Sequence, residues 1–145
     1  MPQISNQKVT TGFVTGGFPF EAMQYMNKLA LDAGVEALWF GDHYINFYSP
    51  RFWTPETTPA AEHLPSPDIM YDHVVMMSVT AMQTENTFIG TSVTEPGRHH
   101  PMALAQRFVS LDHLTKGHAI LGIGSGEYEN TVPYGIDFDT PVTRL

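Results

Sequence analysis

The chain contains no cysteine. Disulfides, thiolate nucleophiles and thiolate metal sites are therefore excluded. Basic residues are scarce: 7 lysines and arginines stand against 15 acidic residues, a formal charge of −8, and no basic run occurs anywhere. That excludes nucleic acid and an anionic membrane surface as natural partners. Long apolar runs are missing too, since no segment approaches the roughly 18 consecutive apolar residues of a membrane span. The opening segment Met1 to Lys8 is polar and lacks the apolar core of a signal peptide, so the cytoplasm is the expected location. There is no H-E-x-x-H motif. Adjacent His99 and His100 point apart in an extended chain, with no third ligand at helical spacing, so no metal is expected.

What is present reads as alternating strands and helices. With 145 residues the chain can bury the core of one ordinary domain. Lys8 to Thr15 is β-branched and ends in Gly16-Gly17-Phe18-Pro19. A helix follows from Phe20, with Met26, Leu29, Ala30 and Ala33 at helical spacing and Gly34 at its C-terminal cap. Val35 to Phe40 is a second strand. A helix over about Ile69 to Thr84 carries one stripe of Met70, Val74, Met77 and Ala81 and another of Val75, Val79 and Met82, which predicts burial on two faces. Its methionines read as packing residues. Thr87 to Val93 is a third strand, Pro101 opens a third helix that Gly117 ends, and His118 to Ile123 is a fourth strand. Four mostly apolar strands in βαβαβαβ order predict an α/β fold with a parallel sheet, whose strand-to-helix loops share one rim.

Three segments of that rim carry polar residues. Gly41-Asp42-His43 ends the second strand. Residues 44–68 hold five prolines among Phe47, Tyr48, Phe52 and Trp53; a connection this long reads as a lid or binding loop, or as a surface excursion packed by its own aromatics. Phe52 and Trp53 either stack on a ring system or only close the loop. The third segment is Gly122-Ile123-Gly124-Ser125-Gly126-Glu127-Tyr128-Glu129-Asn130, where a strand ends in alternating glycines followed by a carboxylate and an amide. Its G-x-G-x-G spacing is one residue short of a dinucleotide fingerprint. Glycines there let a flat ligand approach the backbone, or they serve the strand end alone. Arg98-His99-His100-Pro101 reads as a loop before a helix whose free N–H groups could hold an anion beside Arg98.

Taken in order, Phe40-Gly41-Asp42-His43, Gly90-Thr91-Ser92-Val93-Thr94, Arg98-His99-His100-Pro101 with Ala105-Gln106, and Gly122 to Asn130 with Pro133-Tyr134-Gly135 resemble the bacterial luciferase-like superfamily. The nearest branch is the one using the deazaflavin F420, which includes methylenetetrahydromethanopterin reductase-like proteins and ketoreductases. The resemblance implies the N-terminal half, four strands and three helices, of a TIM (β/α)8 barrel, here a single luciferase-like half-barrel domain over residues 1–145 with an insertion at about 44–68. Because Asp139-Thr140-Pro141 starts what reads as a fourth helix just before Leu145, the chain is expected to be a piece that self-associates or pairs with a complementary half-barrel.

The same resemblance implies hydride transfer between F420 and a carbonyl or imine of a small-molecule substrate. Two alternatives stand beside it: an FMN-dependent monooxygenase, and an inert half-barrel that only assembles. It implies a cis peptide at Ser92-Val93 behind the cofactor ring, with Asp42, Ser92, Val93, Thr94, Ser125, Gly126, Glu127 and Asn130 along the cofactor. His43, whose ordinary pKa of about 6.5 suits proton transfer, is the candidate acid–base group, or else a hydrogen-bonded structural histidine. Asp42 is expected to orient or charge His43, and Glu127 to act as an acid across the substrate. Phe47 stands where the glucose-6-phosphate branch has tryptophan, which argues against a sugar phosphate substrate. Thr15-Gly16-Gly17 lacks the carboxylate that the methylenetetrahydromethanopterin reductases carry there.

Overall fold

A computed structural model of the chain describes residues 11–15 and 19–144. The start of the first strand and the Gly16-Gly17-Phe18 turn lie outside the described residues. Within them the order is β1 (Gly12–Thr15), α1 (Phe20–Asp32), β2 (Ala37–Phe40), α2 (His73–Gln83), β3 (Phe88–Thr91), α3 (Pro101–Leu114), β4 (Ala119–Ile120) and α4 (Pro141–Arg144). The strands form one parallel sheet in the order β1-β2-β3-β4, with Phe13, Leu38, Ile89 and Ala119 in one row of the register. This is the α/β arrangement expected from the alternating pattern.

Side chains of a strand alternate between faces, so that row and the residues two further on point the same way. Leu38, Phe40 and Ile89 meet Met23 and Ala30 of α1, Met77 and Ala81 of α2, and Leu104, Phe108 and Leu111 of α3 in one core. The opposite face carries Val14, which is 65% exposed, and Trp39, whose ring lies over Gly12 and Gly90. A side chain at either glycine would collide with that indole. Here is the physical reason for glycine inside two strands.

Three expectations are corrected. The helix read over Ile69 to Thr84 begins only at His73, because the Asp72 carboxylate accepts the Val75 N–H at 3.0 Å and caps it there. Nor is α2 buried on two faces: Met77, Thr80 and Ala81 are buried, but Val75 and Met82 stand in solvent. The fourth strand is two residues long instead of six. It is continued by a single bridge between Thr94 and Ile123, because the glycine run leaves the ladder to shape a loop. Gly34 and Gly117 do end their helices, at φ of +88° and +90°, where other residues are strained. Among the described residues no helix is long and apolar enough to cross a membrane.

The β2–α2 and β3–α3 connections and the segment after β4 leave the same edge of the sheet, the C-terminal edge of parallel strands, as in the rim of a barrel. Residues 44–68 contain two short 3₁₀ turns, Pro50–Phe52 and Pro59–Glu62. The Trp53 indole N–H donates to the Leu64 carbonyl at 2.9 Å and its ring lies 6.0 Å from that of Tyr48, so the loop is closed partly by its own aromatics.

Candidate functional site

At the end of β2 the chain presents Asp42 and His43 in succession, and extended backbone sends their side chains apart. Asp42, 7% exposed, turns toward the β3–α3 connection. Its Oδ1 accepts from Arg98 Nη2 at 2.8 Å and His73 Nδ1 at 3.2 Å, and its Oδ2 accepts from Thr94 Oγ1 at 2.5 Å and His99 Nε2 at 2.9 Å. Arg98 Nη2 also donates to the Asp42 carbonyl. Burial alone would raise this carboxyl, but the hydrogen bonds from His73, His99 and Thr94 and the charge of His73 together hold it far below the usual carboxylate range.

His43 faces the other way, toward the glycine loop. Asn130 Oδ1 accepts the N–H groups of Tyr44 at 2.6 Å and Ile45 at 3.1 Å, which fixes its amide so that Nδ2 lies 3.2 Å from His43 Nδ1. The Glu127 carboxyl reaches the same Nδ1 at 3.0 Å. Burial and the Arg98 charge push the His43 pKa down, only partly opposed by Asp42. Burial, reinforced by neighbouring Glu129, pushes Glu127 up. A neutral imidazole thus faces a carboxyl that holds its proton to higher pH than usual. Such a pair can pass one proton between them.

Between these groups lies a cavity of about 270 Å³, bounded by Val93, Glu95, Arg98, Gly124, Gly126 and Glu127. The glycine loop can lie this close because it lacks side chains. A Cβ at Gly122 would strike the Thr91 carbonyl, one at Gly124 would strike the Val93 side chain, and one at Gly126 would enter the Glu95 carboxylate. The Thr91 hydroxyl clamps this approach, accepting from the Gly122 N–H at 3.0 Å and donating to the Gly122 carbonyl at 2.9 Å. The Ser92-Val93 peptide is cis, as the resemblance implied. Val93 is 46% exposed and offers an apolar surface to the cavity. That side chain already touches the Gly124 backbone, so the two form one wall of the cavity, a surface for a flat ring to lie against. Glu95, 3% exposed, has neither carboxylate oxygen hydrogen-bonded, and burial raises its pKa. The Arg98 charge, with Nε 3.5 Å from Oε2, opposes that rise only in part.

The sequence-derived site is therefore brought together, with its roles redistributed. Asp42 does not contact His43; its carboxylate holds the β3–α3 connection instead. Thr94 is 0% exposed with its hydroxyl spent on Asp42, and Asn130 is 1% exposed with its amide spent on His43 and the Tyr44 backbone, so both position other groups and neither is open to a ligand. Ser92 is exposed outside the cavity lining; Asp42, Val93, Ser125, Gly126 and Glu127 line it, and His43 lines the adjoining cavity of about 370 Å³ with Tyr44, His73 and Arg107. Glu95 and His73 carried no signal in the sequence, since an acid in a loop and a histidine at a helix start read as solvated or structural. At the start of α3 the Met102 N–H is already spent on His100 Nδ1, at 3.2 Å.

His99 does acquire neighbours of metal-ligand type: Asp42, His73 and His99 offer donor atoms within 4.8 Å of one another. Asp42, however, has all four of its lone-pair directions filled by N–H and O–H donors, one of them a guanidinium. A cation would have to displace Arg98. A hydrogen-bond network accounts for the cluster without one.

Gly126 offers a test of the loop. At φ +77° and against Glu95, Gly126→Ala is expected to cost roughly 1–3 kcal/mol. Gly135→Ala, at φ +76° with nothing within 4 Å, is expected to cost about 1 kcal/mol. Urea unfolding of the two variants should rank them in that order; equal losses would mean that the Glu95 contact sets no constraint.

A model of the family described as luciferase-like monooxygenase matches residues 4–145. Phthiodiolone/phenolphthiodiolone dimycocerosates ketoreductase of Mycobacterium sp. (strain JLS) is 34% identical over 146 residues, covering 93% of this chain and 38% of the relative. A solved F420-dependent secondary alcohol dehydrogenase, in complex with an F420-acetone adduct, superposes with a TM-score of 0.71 at 22% identity, covering 95% of this chain and 38% of that one. The oxygenating constituent of 3,6-diketocamphane monooxygenase from Pseudomonas putida, in complex with FMN, gives a TM-score of 0.61 at 20% identity, covering 90% and 33%. The described strands correspond to part of a TIM barrel, and the chain spans less than two fifths of the relatives it matches.

Proposed function

Because the chain belongs to the luciferase-like monooxygenase family, we propose that it supplies the first part of the active site of an F420-dependent oxidoreductase. The reaction is hydride transfer between the deazaflavin and a carbonyl or imine. The observation that carries this reading is the 3.0 Å pair of His43 and Glu127 beside a glycine-floored, ring-sized cavity. When bound, the deazaflavin supplies or takes the hydride, and the protein has to hold the ring flat and manage one proton.

Val93 and the backbone of Gly124 and Gly126 would hold the ring. The amide of Asn130 donates to His43 Nδ1, which leaves the imidazole proton on Nε2. From there it can pass to a developing alkoxide, and Glu127 refills Nδ1 across 3.0 Å. In the oxidative direction the same pair collects the proton. The kinship with a ketoreductase and the likeness to an alcohol dehydrogenase favour a carbonyl and alcohol pair as substrate and product.

The likeness to an FMN-bound oxygenating subunit keeps FMN as the second reading. Among the described residues β1 and β4 each pair on one side only, so we further infer that a complementary half-barrel or a second copy covers them. Titrating the purified chain with F420 and with FMN, followed by cofactor fluorescence, separates these readings. Saturable binding of F420 in preference to FMN is expected. Preference for FMN would move the reading to a monooxygenase, and binding of neither, alone or with the complementary half, would leave a chain that only assembles.

A further inference from the structure

Residues 136–144 fold back onto the glycine loop, and a single side chain makes the polar contact. Of the four residues of α4, Pro141, Val142 and Thr143 stand in solvent, whereas Arg144 is half-buried. Its Nε donates to the Ser125 carbonyl, 19 residues earlier, at 2.6 Å, and its Nη1 donates to the Asp139 carbonyl. We propose that Arg144 is a positioning residue for the His43–Glu127 pair, fixing the Ser125-Gly126 peptide and through it the place of the Glu127 carboxyl. The inference rests on the reading of those two side chains as sharing a proton, and adds to it the segment that holds one of them in place.

The glycine loop cannot set its own shape. Gly124 and Gly126 have no side chain to restrict their backbone, and Gly126 sits at φ +77° between two peptides whose orientation has to be imposed by neighbours. At the near end the Gly124 N–H donates to the Thr94 carbonyl at 3.0 Å. At the far end the Thr131 hydroxyl donates to the Glu127 carbonyl at 2.8 Å. Between these anchors lies the peptide that joins Ser125 to Gly126, and among the described residues Arg144 is its one hydrogen-bond partner. A guanidinium on a carbonyl is a charge-assisted bond, stronger than a neutral one. Without it the peptide is free to rotate between two glycines. Glu127 begins one residue further on, so that rotation carries its carboxyl away from His43 Nδ1, which it now meets at 3.0 Å.

The guanidinium is itself held. Its central carbon lies 3.6 Å from the centre of the Phe138 ring, and that ring meets Tyr128 edge-on at 5.8 Å. Residues 138–144 therefore touch the loop on both sides of Glu127, at Ser125 by a hydrogen bond and at Tyr128 by a ring contact. A lysine would supply the charge but not two N–H groups set in one plane for two carbonyls. The same charge reaches Glu95, whose carboxylate packs against Gly126, and works against the rise that burial gives that group.

His43 reports on Glu127 without cofactor or turnover. Its ¹H–¹⁵N titration is measured in the wild-type chain, Glu127→Gln, Arg144→Met and the double variant. Asp42 and Arg98 also act on His43, but they are present in all four chains, and the loss of the Arg144 charge is common to the last two. The cycle therefore isolates the contact between Glu127 and His43. Glu127→Gln is expected to lower the His43 pKa in the wild-type background, and to move it by less than about half as much when Arg144→Met is already in place. The Gly126 amide resonance, on the peptide that Arg144 holds, should shift in Arg144→Met. Arg144→Lys keeps the charge and one donor, serves where the methionine variant does not fold, and should reduce the coupling by a smaller amount. Equal movement of His43 in the wild-type and Arg144-substituted backgrounds, or an unmoved Gly126 resonance, would overturn the proposal and leave the pair standing. No movement of His43 in the wild-type background would remove the pair itself, and the proposal with it.

Discussion

Asp42→Ala is expected to lower the free energy of unfolding by about 3–5 kcal/mol, the usual cost of removing one partner from a buried charge network. The carboxylate is the common acceptor for Arg98, His73, Thr94 and His99, which come from the start of α2 and from the β3–α3 connection. Without it, a guanidinium whose side chain is 1% exposed loses its nearest counter-charge, and two histidines lose their anchor. Thr94→Val removes one donor of the four and should cost only about 1 kcal/mol. Urea denaturation followed by far-UV circular dichroism measures both. A loss below about 1 kcal/mol in Asp42→Ala would mean that loop packing, not this network, shapes the rim.

Acidity supplies a second axis for the same experiment. The folded Asp42 carboxyl titrates below its unfolded value of about 3.9, so its stabilisation is complete above that pH and is lost as the pH falls toward the folded value. The gap between wild type and Asp42→Ala should therefore be full at pH 7 and shrink below about pH 4. Glu95 acts in the opposite sense. Its folded pKa is raised, so its contribution is present below the unfolded value of about 4.3 and is lost as the pH rises through the folded value.

How much of this was legible beforehand depended on the range of the interaction. Strand and helix order followed from local pattern: apolar runs, Pro101 at a helix start, and Gly34 and Gly117 past helix ends. The glycine run could be read as a close-approach loop because its steric cause lies in the backbone itself. The role of Asp42 could not, because its partners are 31 to 57 residues away in sequence, and proximity along the chain pointed to His43 instead. Glu95 was invisible for a related reason. Its burial depends on Gly126 lacking a side chain, a coincidence between two loops that neither reveals alone. Ser92 and Thr94 were placed along the cofactor by resemblance, yet a cis peptide and a buried hydroxyl give these neighbours quite different surroundings.

Glu127→Gln is expected to reduce the rate of the proposed carbonyl reduction by about 10²–10⁴-fold, the range for losing a positioned general acid. Glutamine keeps the size and the hydrogen-bonding reach of the side chain but has no proton to pass to His43 Nδ1 at 3.0 Å. Ground-state binding of the cofactor should accordingly be nearly unchanged, which separates a proton-transfer role from a merely structural one. The pH profile carries the sharper test. Glu127 is raised by burial and by Glu129, so the wild-type rate should fall as the pH rises through that value, and the alkaline limb should disappear in the variant. His43 can be read directly, without turnover, by its ¹H–¹⁵N titration. In the wild type an ionised Glu127 beside Nδ1 favours the imidazolium, so the substitution should lower the His43 pKa still further below its ordinary value. A variant that keeps its rate within about twofold and leaves the His43 titration unmoved would show that the two side chains share no proton, and the acid would then have to be sought elsewhere, with Glu95 the next carboxyl lining the cavity.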